Sequence, residues 1–217
     1  MTSNLLFQDH DDLRDLGSFL TRAKKLDESG MVRLKVYGNI LTITVSPIFD
    51  SAIMGTGPKI LGMRIATLAA EQNLDSVFEI SSILERIAQL EGSQRLDLAI
   101  PPVVKKAAWG GVSAPQDGWV ALGEIDSNIF KESAESGISE VGEALGKSIG
   151  VSISNKLRFE VWGRTIEGTN GIPAGAAFAL YALGFLDKDS SAAVFRSGAW
   201  LRLSTKFGHV LAKVGAI

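Results

Sequence analysis

The chain has 217 residues, 46% of them hydrophobic and 21% charged, and a formal net charge of −2. That balance belongs to a folded protein with one large core or two small ones, and it excludes a disordered chain and a strongly basic nucleic-acid binder. Cysteine is absent, so disulfides, thiolate nucleophiles, zinc–cysteine sites and cysteine-ligated iron–sulfur clusters are excluded too.

The opening MTSNLLFQDHDDL has no basic start and no long apolar run, so no secretory signal is expected and a cytoplasmic location follows. From Asp11 to Leu26, Leu13, Leu16, Phe19, Leu20 and Ala23 recur at helical spacing, with acids at the start and Lys24 and Lys25 at the end to suit the helix dipole. In DHDD, His10 beside carboxylates has the makings of a metal site, but no second histidine lies nearby and helix capping is the favoured role. Next, Val32, Leu34 and Val36 alternate with polar neighbours, as do Leu41, Ile43 and Val45. Gly38-Asn39 between them predicts a hairpin, and Pro47 is expected to end its second strand.

Residues 48–59 read as a loop. Its Gly55-Thr56-Gly57-Pro58-Lys59 fits neither common phosphate-loop spacing, and Pro58 removes an N–H donor. ILGMRIATLA is a predicted strand. A helix capped by Ser76 or Asp75 is predicted through ISSILERIAQLE, with Ile80, Ile83, Leu84, Ile87 and Leu90 on one face. LDLAIPP reads as a short strand. WGGVSAPQDGW, rich in Gly and Pro, reads as a linker, so the expected organisation is residues 1–108, a linker 109–118 and residues 119–217.

The second half opens with a short predicted strand and an acidic helix bent or broken at Gly137. From Ala114 to Gly146, seven acids face Lys131 alone, whereas nine bases and four acids follow from Lys147. The pairs Glu132/Glu135 and Glu140/Glu143 share a helix face, yet nothing apolar surrounds them to raise a pKa for acid–base work. LRFEVWGRTI reads as helix. GIPAGAAFALYALGFL carries no charge; as a helix its fifteen residues from Ile172 span about 22 Å, short of a bilayer core of roughly 30 Å. Its glycines are too dispersed to cradle phosphate. A buried helix with Pro173 in its first turn is expected, so no membrane span is predicted.

The ending AAVFRSGAWLRLSTKFGHVLAKVG predicts a β-hairpin. Helices followed by a hairpin is the order of a winged helix, so the expected fold is α+β in two small modules, the C-terminal one winged-helix-like. Arg196, Arg202, Lys206 and Lys213 are then the candidate phosphate contacts. The preceding helix offers no side chain to a base edge, which disfavours sequence-specific DNA binding. His209 near Ser204 lacks an orienting acid and a nucleophile elbow for catalysis. With Trp109, Trp119, Trp162 and Trp200 it forms the candidate interface or pocket set.

GIPAGAAFALYALGFL with SGAWLRLSTKFGHVLAKVG resembles the C-terminal part of an uncharacterised family of actinobacterial proteins. LGSFLTRAKKLDESGMVRLK is similar to the first part of that family. The resemblance implies no activity and supplies no functional residues. The leading expectation is a non-enzymatic interaction or regulatory protein, self-associating as a homo-oligomer, with no cofactor or metal. The alternatives are nucleic-acid binding through the basic C-terminal hairpin, and a small-ligand or enzyme site at the domain junction.

Overall fold

The computed structural model describes residues 4–49, 57–145 and 151–214. Gly55 and Thr56 of the glycine-containing loop, and Lys147 at the start of the basic stretch, lie outside them. The chain divides into two compact units, one of Met1–Ser46 with Met63–Val112, the other of Pro47–Gly62 with Ser113–Ile217.

Unit 1 begins with β1 (Asn4–Leu6) and α1 (His10–Leu26). Asp9 caps α1 by accepting the Asp12 N–H through Oδ1 at 2.8 Å, which satisfies one of the helix's orphan donors. Leu13, Leu16, Phe19, Leu20 and Ala23 are the buried stripe. Strands β2 (Met31–Tyr37) and β3 (Ile40–Phe49) form the expected hairpin, with Gly38 at φ 61° in its turn. β4 (Lys59–Thr67), β5 (Leu74–Glu79), α2 (Ile80–Ala88) and β6 (Asp97–Ala99) follow. The strand order is β5-β2-β3-β4, and β1 pairs with β6 in a separate ladder. α1 packs against α2, where Gly17 approaches Ile87.

Two expectations in this half needed correction. β3 runs through Pro47 instead of ending there. The β2–β3 ladder finishes at Arg33 opposite Thr44, so proline's missing donor falls where β2 has run out. Residues Asp75 and Ser76 lie in β5, not at a helix cap; the alternation of LDSVFE against β2 won over the capping signal, and α2 starts at Ile80 with no side-chain cap.

Unit 2 contains β7 (Val120–Asp126), α3 (Ser127–Leu145), α4 (Val151–Gly163), α5 (Ala174–Ala182), β8 (Ser191–Ser197), β9 (Trp200–Thr205) and β10 (Gly208–Lys213). The charge-free segment is α5 flanked by turns, with Pro173 as N-cap residue and Ala174, Gly175, Ala176, Ala177, Ala179 and Leu180 buried. A Cβ on Gly175 would stand 3.0 Å from Ile48 Cδ1 and from the Trp162 carbonyl oxygen, so the small residue sets how closely its neighbours pack. α3 passes through Gly137 as one helix. The glycine is there because a Cβ would lie 2.4 Å from the Trp162 ring, a matter of close packing and not of a bend.

The C-terminal module is not winged-helix-like. What reads in the sequence as a two-stranded wing continues into an antiparallel sheet, ordered β10-β9-β8-β7. The missed element is β8, whose SAAVFRS alternates with Ala192 and Val194 buried. Ser197-Gly198 then turns the chain back into β9, with Gly198 at φ 54°. A wing is a terminal ribbon with solvent on both faces; here α5 packs against β10 and Leu201, Leu203 and Val210 are completely buried.

Candidate functional site

Strand register divides the residues of β8, β9 and β10 between two faces. Ala192, Val194, Leu201, Leu203, Val210 and Ala212 form one face and are all buried. The second face carries Phe195, Arg202 and Leu211 in one row across the strands. Ser204 and His209 make the next row on one side, and Trp200 and Lys213 the next on the other. This second face is half-buried and chemically mixed.

At its centre, the Arg202 guanidinium lies 4.4 Å from the centre of the Phe195 ring and 4.7 Å from that of Trp119. Trp119 is held in place by donating its indole N–H to the Pro115 carbonyl at 3.0 Å. Among the described residues Arg202 has no ion-pair partner, and its Nε is buried without an acceptor. Burial pushes its pKa below the ordinary arginine value, because a desolvated cation is disfavoured and no acid compensates it. His209 Nδ1 and Ser204 Oγ are hydrogen-bonded at 2.9 Å. Burial first, and then the Arg202 charge, hold the His209 imidazole below its usual value, so this histidine is neutral at physiological pH.

The four bases named from the sequence do not share one surface. Arg196 pairs with Leu201 in register and so belongs to the opposite face from Arg202; its Nε is likewise buried, with no hydrogen-bond partner among the described residues. Lys206, in the β9–β10 turn, is paired with Asp187 at 2.6 Å, which pulls the Asp187 carboxyl down. Lys213 ends β10 on the Arg202 face. The tryptophans also separate. Trp109 is buried in unit 1, whereas Trp162 is buried in unit 2 and stacked on Phe178 with ring centres 4.5 Å apart. Trp200 is buried on the Arg202 face, and Trp119 covers Arg202. The structure thus brings Trp119, Trp200, Arg202, Lys213 and His209 together.

Sequence reasoning missed Phe195, the second ring against Arg202, because β8 was not read as a strand. It also missed β7 as an edge. That strand pairs with β8 through a bulge at Ala121/Gly123, ends the strand order of unit 2, and exposes Val120 (64%) and Leu122 (43%). Among the described residues nothing pairs with its other side. The acids of α3 are solvated as read: Glu140 takes both Arg164 η-nitrogens at 2.6 and 2.8 Å, which lowers its pKa, and Glu143 accepts from Ser139. Among the described residues no group of three or more metal-ligating side chains forms, and no helix is long and apolar enough to cross a membrane. In unit 1 a groove of about 560 Å³ runs beside His10, Leu13, Arg14, Ile87, Leu90 and Glu91; Arg14 there is already paired with Asp11 at 2.9 Å.

Comparison with solved structures gives the fold. The DNA polymerase sliding clamp of Caulobacter crescentus is similar over 100% of this chain and 67% of its own, at 11% identity and a TM-score of 0.50. The clamp of Pseudomonas aeruginosa is similar over 99% of this chain and 64% of its own, at 11% identity and a TM-score of 0.48. The chain therefore spans about two thirds of the length of these proteins, and at such identity the likeness concerns the antiparallel sheet and its helices alone. No curated protein matches the sequence. Residues 114–217 match the family described as Domain of unknown function (DUF8185). Residues 1–111, just over half of the chain, match that described as Domain of unknown function (DUF8010), and the chain belongs to that family.

Proposed function

We propose that this is a cytoplasmic, non-enzymatic interaction protein that self-associates through the β7 edge, built on a sliding-clamp-like scaffold of two modules, 1–108 and 119–217, joined at 109–118. The observation that carries the reading is β7 itself. A seven-residue edge strand with exposed Val120 and Leu122 offers a row of unpaired backbone groups beside apolar side chains. Such edges are ordinarily shortened, charged or covered, because they pair with any suitable strand. β7 has no lysine and no proline, and its acids, Glu124 and Asp126, lie toward one end, leaving Val120 to Leu122 open for pairing with a second copy. The similarity to proteins titled DNA polymerase sliding clamps supports a role in protein assembly.

Contact with nucleic acid is the less favoured reading for this chain. Lys206 is neutralised by Asp187, and α3 presents exposed acids that would repel phosphate. The test of self-association is sedimentation velocity over a range of concentrations, comparing the natural chain with the Val120→Lys/Leu122→Lys variant. The natural chain is expected to dimerise or assemble further, and the variant to remain a monomer with unchanged thermal melting. A natural chain that stays monomeric at every concentration would refute the reading.

A further inference from the structure

We propose that Arg202 anchors a carboxylate-binding site on the second face of the unit 2 sheet, and that its occupant is an acidic side chain of a protein partner. The inference goes beyond self-association through β7 and does not depend on it. Its starting point is an uncompensated charge. A guanidinium against two aromatic rings, with Nε buried and no acid paired to it among the described residues, has lost part of its hydration without the ion pair that ordinarily replaces it. Arg202 Cζ sits over both rings, whose π faces attract its charge. A guanidinium carries its Nη N–H groups in its own plane, where a carboxylate can be held by two parallel hydrogen bonds.

The surroundings narrow the ligand. Ser204 and His209 are hydrogen-bonded to each other and His209 is neutral, so they add polarity but no charge. Glu124 accepts a hydrogen bond from the Ser191 hydroxyl, and Lys206 is paired with Asp187. Lys213, diagonal to Arg202 in the register, is the remaining cation on this face of β8, β9 and β10 among the described residues. One central fork with one cation at its margin suits a singly charged planar carboxylate better than a doubly charged phosphate, which calls for more donors at its centre. Trp119 and Phe195, both partly exposed, flank the fork as an apolar collar. A carboxylate carried on a peptide, with apolar neighbours to cover those side chains, gains from the collar; a free small acid does not.

The test follows the His209 ring and the Trp119 indole N–H by NMR. The probes are N-acetyl-glutamate methylamide, its glutamine counterpart and propionate. The glutamate probe is expected to shift both signals saturably and to move the His209 pKa upward, because an anion on Arg202 offsets the charge that depresses it. The glutamine probe should leave them unmoved, and propionate should bind more weakly than glutamate. Arg202→Gln should weaken glutamate binding by about tenfold or more, the loss of a charge-assisted pair. If Arg202→Gln does not fold, Arg202→Lys, which keeps the charge but loses the fork, replaces it and should weaken binding by a smaller factor. An equal response to glutamine, a response undiminished in the variant, or no response at all would overturn the site. Propionate binding as tightly as glutamate would overturn the peptide occupant. Sedimentation of the same samples reports on β7 separately, so the two readings fail independently.

Discussion

Two glycines of α3 make opposite predictions from the same substitution. At Gly142 nothing lies within 4 Å of an added Cβ; alanine there gains helix propensity and should stabilise the chain by about 1 kcal/mol. At Gly137 the same methyl would stand 2.4 and 2.7 Å from Trp162 Cζ3 and Cη2, about 1 Å closer than the optimum for two carbons. Trp162 cannot swing away freely, being buried and stacked on Phe178. Overpacking of this kind costs roughly 3 kcal/mol at the upper end of its range. Against a propensity gain of about 1 kcal/mol, the clash wins and Gly137→Ala should destabilise by about 2 kcal/mol. Urea unfolding of the full chain, followed by near-ultraviolet circular dichroism, measures both. Trp162→Leu in the Gly137→Ala background should recover part of the loss, a coupling that distant sites do not show. Equal stabilisation by both alanines would refute the contact of α3 with Trp162.

Ala179→Glu places a carboxylate at a fully buried position of α5 and should cost several kcal/mol, enough to unfold unit 2; Tyr181→Glu, on the exposed side of the same helix, should change stability by no more than about 0.5 kcal/mol. Because the folded chain holds His209 below its ordinary 6.5, the unfolded chain takes up that proton at a higher pH. Its contribution is therefore constant above 6.5 and is lost as pH falls from there toward the lowered folded value, with a limiting slope of about 1.4 kcal/mol per pH unit. Urea midpoints across that range should show the loss, and His209→Gln should remove it; an unchanged pH dependence in the variant would contradict the buried neutral imidazole. In a fluorescence assay at low ionic strength, duplex DNA should not bind; salt-dependent binding lost on Lys206→Glu with Arg202→Glu would instead restore a phosphate-contacting role.

Where apolar periodicity acted alone, the sequence was legible. The stripe of α1, the β2–β3 hairpin, the α5 segment and the last two strands all announce themselves through spacing and turn residues. The errors came where a local signal competed with pairing. Ser76 reads as a helix cap, but β2 claims its strand; Gly137 reads as a break, but it makes room for the Trp162 ring. β8 was lost because Arg196 and Ser197 obscure its alternation, and with it went the sheet that rules out a wing. The second face of that sheet was partly legible: Arg202 and His209 stood out as rare polar groups among apolar neighbours. Their grouping with Phe195 and Trp119 depends on strand register and on the path of residues 115–119, which no short-range pattern encodes.

As an interface, β7 would reveal itself in its amide hydrogen exchange. The peptide N–H groups of Val120 to Ile125 that do not bond to β8 should exchange rapidly in dilute protein and become protected as concentration rises. The same amides in the Val120→Lys/Leu122→Lys variant should stay fast throughout. Exchange along β7 that is independent of concentration in the natural chain would contradict the account.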